Sequence, residues 1–157
     1  MDLQRGITGI LSRKDPMPVQ ACTDLKAFRS HCHDAARETG AKIQSIKDSY
    51  DGVGICSFAI ALFEFSDSTV AVLLNVIRPI IAFSKSPSEG QILFEYIDCS
   101  KLAEVFQAFG TYSISISHQL NQPLVRNICK NLAPAEQEQV RYFRPARVGD
   151  LIFNSWD

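Results

Sequence analysis

From residue 41 to residue 98 the chain repeats one pattern: an apolar run, a turn, then another apolar run. The runs are AKIQSIKDSY, ICSFAIALFEF, TVAVLLNVI, IIAFS and QILFEYID, with Asp51-Gly52, Arg78-Pro79 and KSPSEG marking breaks between them. Connections this short leave no room for crossovers, so the pattern predicts an antiparallel meander of four to five strands. The second and third runs are apolar on both faces. In the second, Cys56, Phe58, Ile60 and Leu62 lie on one side and Ile55, Ala59, Ala61 and Phe63 on the other. Such strands belong at the centre of a sheet with cover on both sides.

The cover has to come from the flanks. Residues 24–39 place Leu25, Phe28, Cys32, Ala35 and Ala36 at helical spacing, with Thr23 or Asp24 as N-cap and Gly40 at the left-handed position after the last turn. Beyond residue 100 the period changes. Ser100 can cap KLAEVFQAF, in which Leu102, Val105, Phe106 and Phe109 form one stripe, and Gly110 ends it. Residues 111–120 fit two patterns. Tyr112, Ile114 and Ile116 alternate as in a strand, yet apolar positions from Val105 to Leu132 also recur at steps of three or four; we prefer the helix. Pro123 and Pro134 each stand where a first helical turn begins. The expected fold is α+β: an antiparallel sheet meander of four to five strands, with an N-terminal helix and a helical C-terminal third packed on it. Residues 1–157 read as a single domain. Within it, residues 1–22, broken by Pro16 and Pro18, are an irregular lead-in.

A 157-residue chain buries about 70% of the surface its unfolded form exposes, so its core needs neither metal nor disulfide. The net charge of −1 argues against direct nucleic-acid binding. The longest largely apolar run, VGICSFAIALF, has eleven residues, too few for a membrane span, which needs about 20. The N-terminal stretch lacks a signal-peptide core, so a cytoplasmic location is expected. The five cysteines form no CxxC pair and read as small buried hydrophobes. Only the middle of the chain is charge-biased: residues 51–107 hold three Lys/Arg and seven Asp/Glu. The bias is either scattered turn charge or one acidic face. In the second case Glu64, Asp67, Glu89, Glu95 and Asp98 would meet a basic partner.

Reactive constellations are scarce. His31, Cys32 and His33 are adjacent, about 100° apart on a helix, and cannot all face one metal ion. A thiol nucleophile would need His118 beside Cys99 or Cys129, which nothing in the spacing arranges. Glu64 and Glu95 on neighbouring strands are a weak acid/base pair. Phosphate-binding loops and nucleophile elbows have no match. The expectation is a binder rather than an enzyme, without cofactor or metal.

The closing segment, RPARVGDLIFNSWD, is unusual for a chain end in being rich in large apolar residues. Val148, Leu151, Ile152 and Trp156 fall on one helical face, with Phe153 widening it. The helix should run on to Trp156, which should be buried. YFRP should be extended, because Pro145 disfavours helical geometry at Arg144. Arg141, Arg144 or Arg147 should neutralise Asp157. The motif Arg144-Pro145-x-x-Val148-Gly149-x-x-x-Phe153-Asn154-x-Trp156-Asp157 resembles the ending of a group of small bacterial immunity proteins encoded beside polymorphic toxins. The likeness runs from Leu132 to the end, with Phe143 where the pattern has Trp. It implies a protein that binds and neutralises a cognate toxin, a nuclease or another toxin with a basic surface. It does not imply that the motif residues touch that toxin; they read as a structural lock. Two other readings stand beside it. Pro145-x-x-x-Gly149-Asp150 resembles a strand of hot-dog thioesterases, implying a small-ligand-binding or thioesterase-like domain. A subunit of a larger assembly is the third.

Overall fold

The computed structural model describes residues 3–10, 23–48, 57–91 and 93–156. The elements run α1 (Leu25–Thr39), β1 (Lys42–Lys47), β2 (Phe58–Glu64), β3 (Thr69–Asn75), β4 (Ile80–Lys85), β5 (Tyr96–Ile97), α2 (Ser100–Ala108), β6 (Ser113–Ile114) and α3 (Ser117–Leu120). A 3-10 turn (Arg126–Cys129), α4 (Pro134–Phe143) and α5 (Val148–Ile152) follow. Strands β1 to β5 form an antiparallel meander in sequence order, so the architecture is α+β. The turn at Asp51-Gly52, with Ile55 and Cys56, lies outside the described residues.

The two-faced patterning of β2 and β3 splits the core in two. Ala59, Ala61 and Phe63 of β2, with Val72 and Leu74 of β3, pack under α1 and α2 against Phe28, Cys32, Leu102 and Phe106. Phe58 and Ile60, with Ala71 and Leu73, face the other way. There the cover comes from Leu3 and Ile7 of the lead-in and from the C-terminal third, through Leu120, Leu132, Val148, Leu151 and Trp156. Helix α1 begins where Asp24 accepts the Ala27 N–H at 3.0 Å and ends at Gly40, whose φ of 74° suits a residue without Cβ.

Five expectations need correction, and three of them yield to long-range pairing. The preferred helix over residues 111–120 is a strand for its first part. Ser113 and Ile114 pair in parallel with Ile80 and Ile81, and only Ser117–Leu120 is helical. The reason is that Tyr112 and Ile114 pack in the α1/α2 core whereas Leu120 packs in the opposite one. The chain crosses the sheet edge between them, and one helical stripe cannot face two cores. The helix expected from Pro123 is reduced to the 3-10 turn Arg126–Cys129. Leu124 donates to the Ala146 carbonyl and Val148 to that of Gln122, both at 3.0 Å, so this backbone is already paired with the approach to α5. Tyr142 and Phe143 end α4 instead of being extended. Arg144 then escapes the clash with Pro145 through the left-handed region, at φ 49° and ψ 56°. Finally, α5 stops at Ile152, because the backbone of Asn154 is bound to Ser57 at the entrance to β2. Ser100, expected to cap α2, is its first helical residue, with Cys99 before it.

Candidate functional site

The closing motif lies at a polar seam between four chain segments. Ser57 donates its N–H to the Asn154 carbonyl at 3.0 Å and its hydroxyl to the Ile152 carbonyl at 2.7 Å. Its Oγ accepts the Asn154 N–H at 2.9 Å. The Asn154 amide donates to the carbonyls of Thr8 and Leu151 at 3.0 and 2.8 Å. Asn75, at the end of β3, donates to the Ile7 and Ile152 carbonyls, each at 2.8 Å, and accepts from Ile77 and Arg78, each at 2.9 Å. Lead-in, β2, β3 and chain end are thus held by buried amides whose groups are satisfied, the condition for burying them without penalty. Phe153 is buried against Phe58 and Tyr96. Trp156 is 9% exposed and stacks on Phe143 with centroids 5.2 Å apart. Asp157, and with it the expected cation contact, lies outside the described residues.

A second buried centre was not foreseen. Glu136, in the first turn of α4, is completely buried. Its Oε2 accepts the N–H groups of Gly6 and Ala133 at 2.9 and 2.8 Å. Its Oε1 accepts the Thr8 N–H at 3.0 Å and the Thr8 hydroxyl at 2.7 Å. One carboxylate therefore caps its own helix and clamps the lead-in. The only sequence signal is an acid three residues after the N-cap.

Asp150, the acid of the thioesterase-like reading, is bound on both oxygens. Arg147 donates from Nη2 to Oδ1 at 2.6 Å and from Nε to Oδ2 at 3.0 Å. The same guanidinium reaches the Phe94 carbonyl and Asn121 and lies 5.0 Å from the Tyr96 ring centre. The Asp150 hydrogen bond raises the Arg147 pKa further. Tyr96 is buried with its hydroxyl unpartnered, and desolvation, with a smaller contribution from Asp150, raises its pKa well above the usual phenol value. The Pro145-x-x-x-Gly149-Asp150 stretch is a helix start rather than a strand. Its Gly149 faces the Tyr96 ring: a Cβ there would come within 2.4 Å of Cε2. Gly149→Ala should therefore lower stability by about 2 kcal/mol or more through overpacking. In an exposed helix the same change would stabilise by about 1 kcal/mol. A thermal melt shows the sign, and a higher melting temperature than the parent contradicts this packing.

The acidic residues do not form one uniform patch. Glu64 and Asp67 sit at the β2–β3 hairpin, both exposed, with Lys42 opposite Glu64 in the register and Gln44 donating to its carboxylate at 3.0 Å. Glu95 pairs with Lys85 at 2.7 Å. Asp98 is apart from these: it accepts the N–H and hydroxyl of Ser117, both at 2.8 Å, holding the start of α3. Glu89 lies in the β4–β5 loop, beside a cleft of about 440 Å³ that Lys47, Ile60 and Leu62 also line. Of the HCH triplet, His31 stacks on Phe109 and contacts the Tyr112 hydroxyl at 2.6 Å, Cys32 is in the core and His33 is exposed. Burial raises the Cys32 pKa far above the usual thiol range. Among the described residues, no three His, Cys, Asp or Glu side chains gather to hold a metal ion, and no helix is long and apolar enough to cross a membrane.

Sequence reasoning also missed an open cleft of about 540 Å³ between the 3-10 turn and the C-terminal half of α4. Its charged lining is entirely basic: Arg126, Lys130, Arg141 and Arg144. The residue count hides this, because residues 108–157 hold five Lys/Arg and four Asp/Glu. Two of those acids, Glu136 and Asp150, are buried, so the surface of this third is more basic than its composition.

Set against known proteins, the chain matches no family model, no curated protein and no solved structure.

Proposed function

We propose that this protein is an immunity protein: it binds a cognate bacterial toxin in the cytoplasm and neutralises it by contact, without catalysis of its own. The observation that supports this reading most is the use made of the closing motif. Val148, Gly149, Phe153, Asn154 and Trp156 are all buried, and Asn154 ties the chain end to β2 and the lead-in. A motif used this way holds the C-terminal layer on the sheet, so the likeness to immunity proteins over residues 132–157 concerns how that layer is built. The buried polar side chains of Thr8, Ser57, Asn75, Glu136, Asp150 and Asn154 are committed to internal hydrogen bonds. The groups left to meet another molecule are on the surface.

The acids best placed to meet a basic toxin are Glu64, Asp67 and Glu89, which are exposed and have no ion pair among the described residues. Expressed with the toxin encoded beside it, the protein should restore growth and co-purify with the toxin. Reversing these three charges together should slow association about tenfold or more at low salt while leaving the melting temperature unchanged. A chain that neither binds nor rescues is not an immunity protein for that toxin. An unchanged association rate removes the acidic surface but not the function.

A further inference from the structure

The basic cleft on the C-terminal layer has the shape and chemistry of a docking groove. One wall is a stripe of α4 and its cap: Gln137, Val140, Arg141 and Arg144, at i, i+3, i+4 and i+7. It runs roughly 10 Å along the helix, two turns at about 1.5 Å per residue. The facing wall carries Arg126 and Lys130, from the 3-10 turn and the residue after it. Between the walls lie Leu124 and Pro145 with the half-buried Cys129. Val125 extends the apolar lining outward and is 52% exposed.

Cations on both walls of an apolar trough are unusual for a solvated surface, which mixes both signs. Arg141 and Arg144 can be ascribed to the C-terminal dipole of α4. Arg126 and Lys130 cannot, since they belong to another element. None of the four forms an ion pair with a carboxylate among the described residues. Arg144 is also the only non-glycine with positive φ among the described residues, a conformation costing about 1 kcal/mol or more. It holds a guanidinium at the groove wall where Gly or Asn would be easier.

We propose that this groove docks an amphipathic helical segment of a partner protein, with apolar residues in the trough and Glu or Asp along both edges. The charge on the two walls selects the acidic edges, and a trough about 10 Å long takes the apolar face of about two helical turns. The lining that continues onto exposed Val125 suits an extended occupant rather than an enclosed small molecule. This site does not depend on the toxin reading, whose acidic surface lies elsewhere on the protein.

Three synthetic peptides of about three helical turns test it, each with Leu at i, i+3, i+4 and i+7 and with Glu, Gln or Lys at the flanking positions. Titrated against the full chain by fluorescence anisotropy, the Glu peptide should bind about tenfold or more tighter than the Gln peptide, and the Lys peptide weakest. The Glu complex should weaken as salt rises. It should also slow alkylation of Cys129 by iodoacetamide while leaving that of Cys99, on the other face of the sheet, unchanged. Arg126→Glu with Lys130→Glu, both exposed, should abolish the preference for the Glu peptide without moving the melting temperature. Equal affinity for the three peptides, or unprotected Cys129 in the Glu complex, overturns the proposal. Vesicles of anionic phospholipid serve as a second probe: binding them more tightly than the Glu peptide, in a way the charge swap removes, assigns the groove to a membrane and overturns it. A dimer lost on the same swap assigns the groove to a second copy and likewise overturns it.

Discussion

Trp156→Ala is expected to destabilise the protein by about 3–5 kcal/mol, the usual cost of truncating a buried aromatic. For a chain of this size that is a fall of roughly 10 °C in melting temperature. The indole stacks on Phe143 and completes the core beneath the C-terminal third, so its removal loosens α4 from the sheet. Trp156→Phe keeps a ring on Phe143 and should recover part of the loss. Deleting residues 152–157 should cost more than Trp156→Ala. It also removes the Ile152 carbonyl that accepts from Ser57 and Asn75, and the Asn154 amide that holds Thr8. Circular dichroism on heating measures both variants. An unchanged melting temperature in the deletion would show that the closing segment is not part of the folded core.

Glu136→Ala should be as damaging, about 4 kcal/mol or more, for a different reason. It leaves three backbone N–H groups and the Thr8 hydroxyl without an acceptor in the interior, and each such group costs about 1–3 kcal/mol. The damage should begin locally. Residues 3–10 are held to α4 through this carboxylate, so the Gly6 and Thr8 amides should lose hydrogen-exchange protection before the sheet does. Glu136→Gln keeps one acceptor oxygen but turns an amide N–H toward donors, and should recover only part of the stability. Denaturant unfolding and native-state exchange together check this. Full protection of Gly6 and Thr8 in the Ala variant would contradict the clamp.

The two sites of largest effect differ in how far the residues alone announce them. Trp156 stands out because it shares one helical face with Val148, Leu151 and Ile152, and a face so apolar has to be covered. Glu136 does not stand out. In PAEQEQ it reads as one of several acids in a solvated first turn, and its partners at Gly6 and Thr8 are about 130 positions away. The same distance effect explains the misreading of residues 111–132. Their apolar spacing is compatible with one helix, and local spacing cannot say that Ile114 and Leu120 enter different cores. The basic groove was hidden because a count of charges does not distinguish the exposed Arg126 and Lys130 from the buried Glu136 and Asp150.

By itself the sequence determined the antiparallel meander, the burial of β2 and β3 on both faces, and α1 with both of its caps. Each of these depends on neighbours within a few residues: period-two or period-3.6 patterning, turn dipeptides, and side chains that cap adjacent backbone. Only the tertiary structure decided where α5 ends, that residues 113–114 join the sheet edge, and which carboxylates are buried. Those outcomes turn on backbone donors and acceptors brought together from distant parts of the chain. A buried N–H or carbonyl must find a partner, and when that partner is remote it overrides the local preference for a helix.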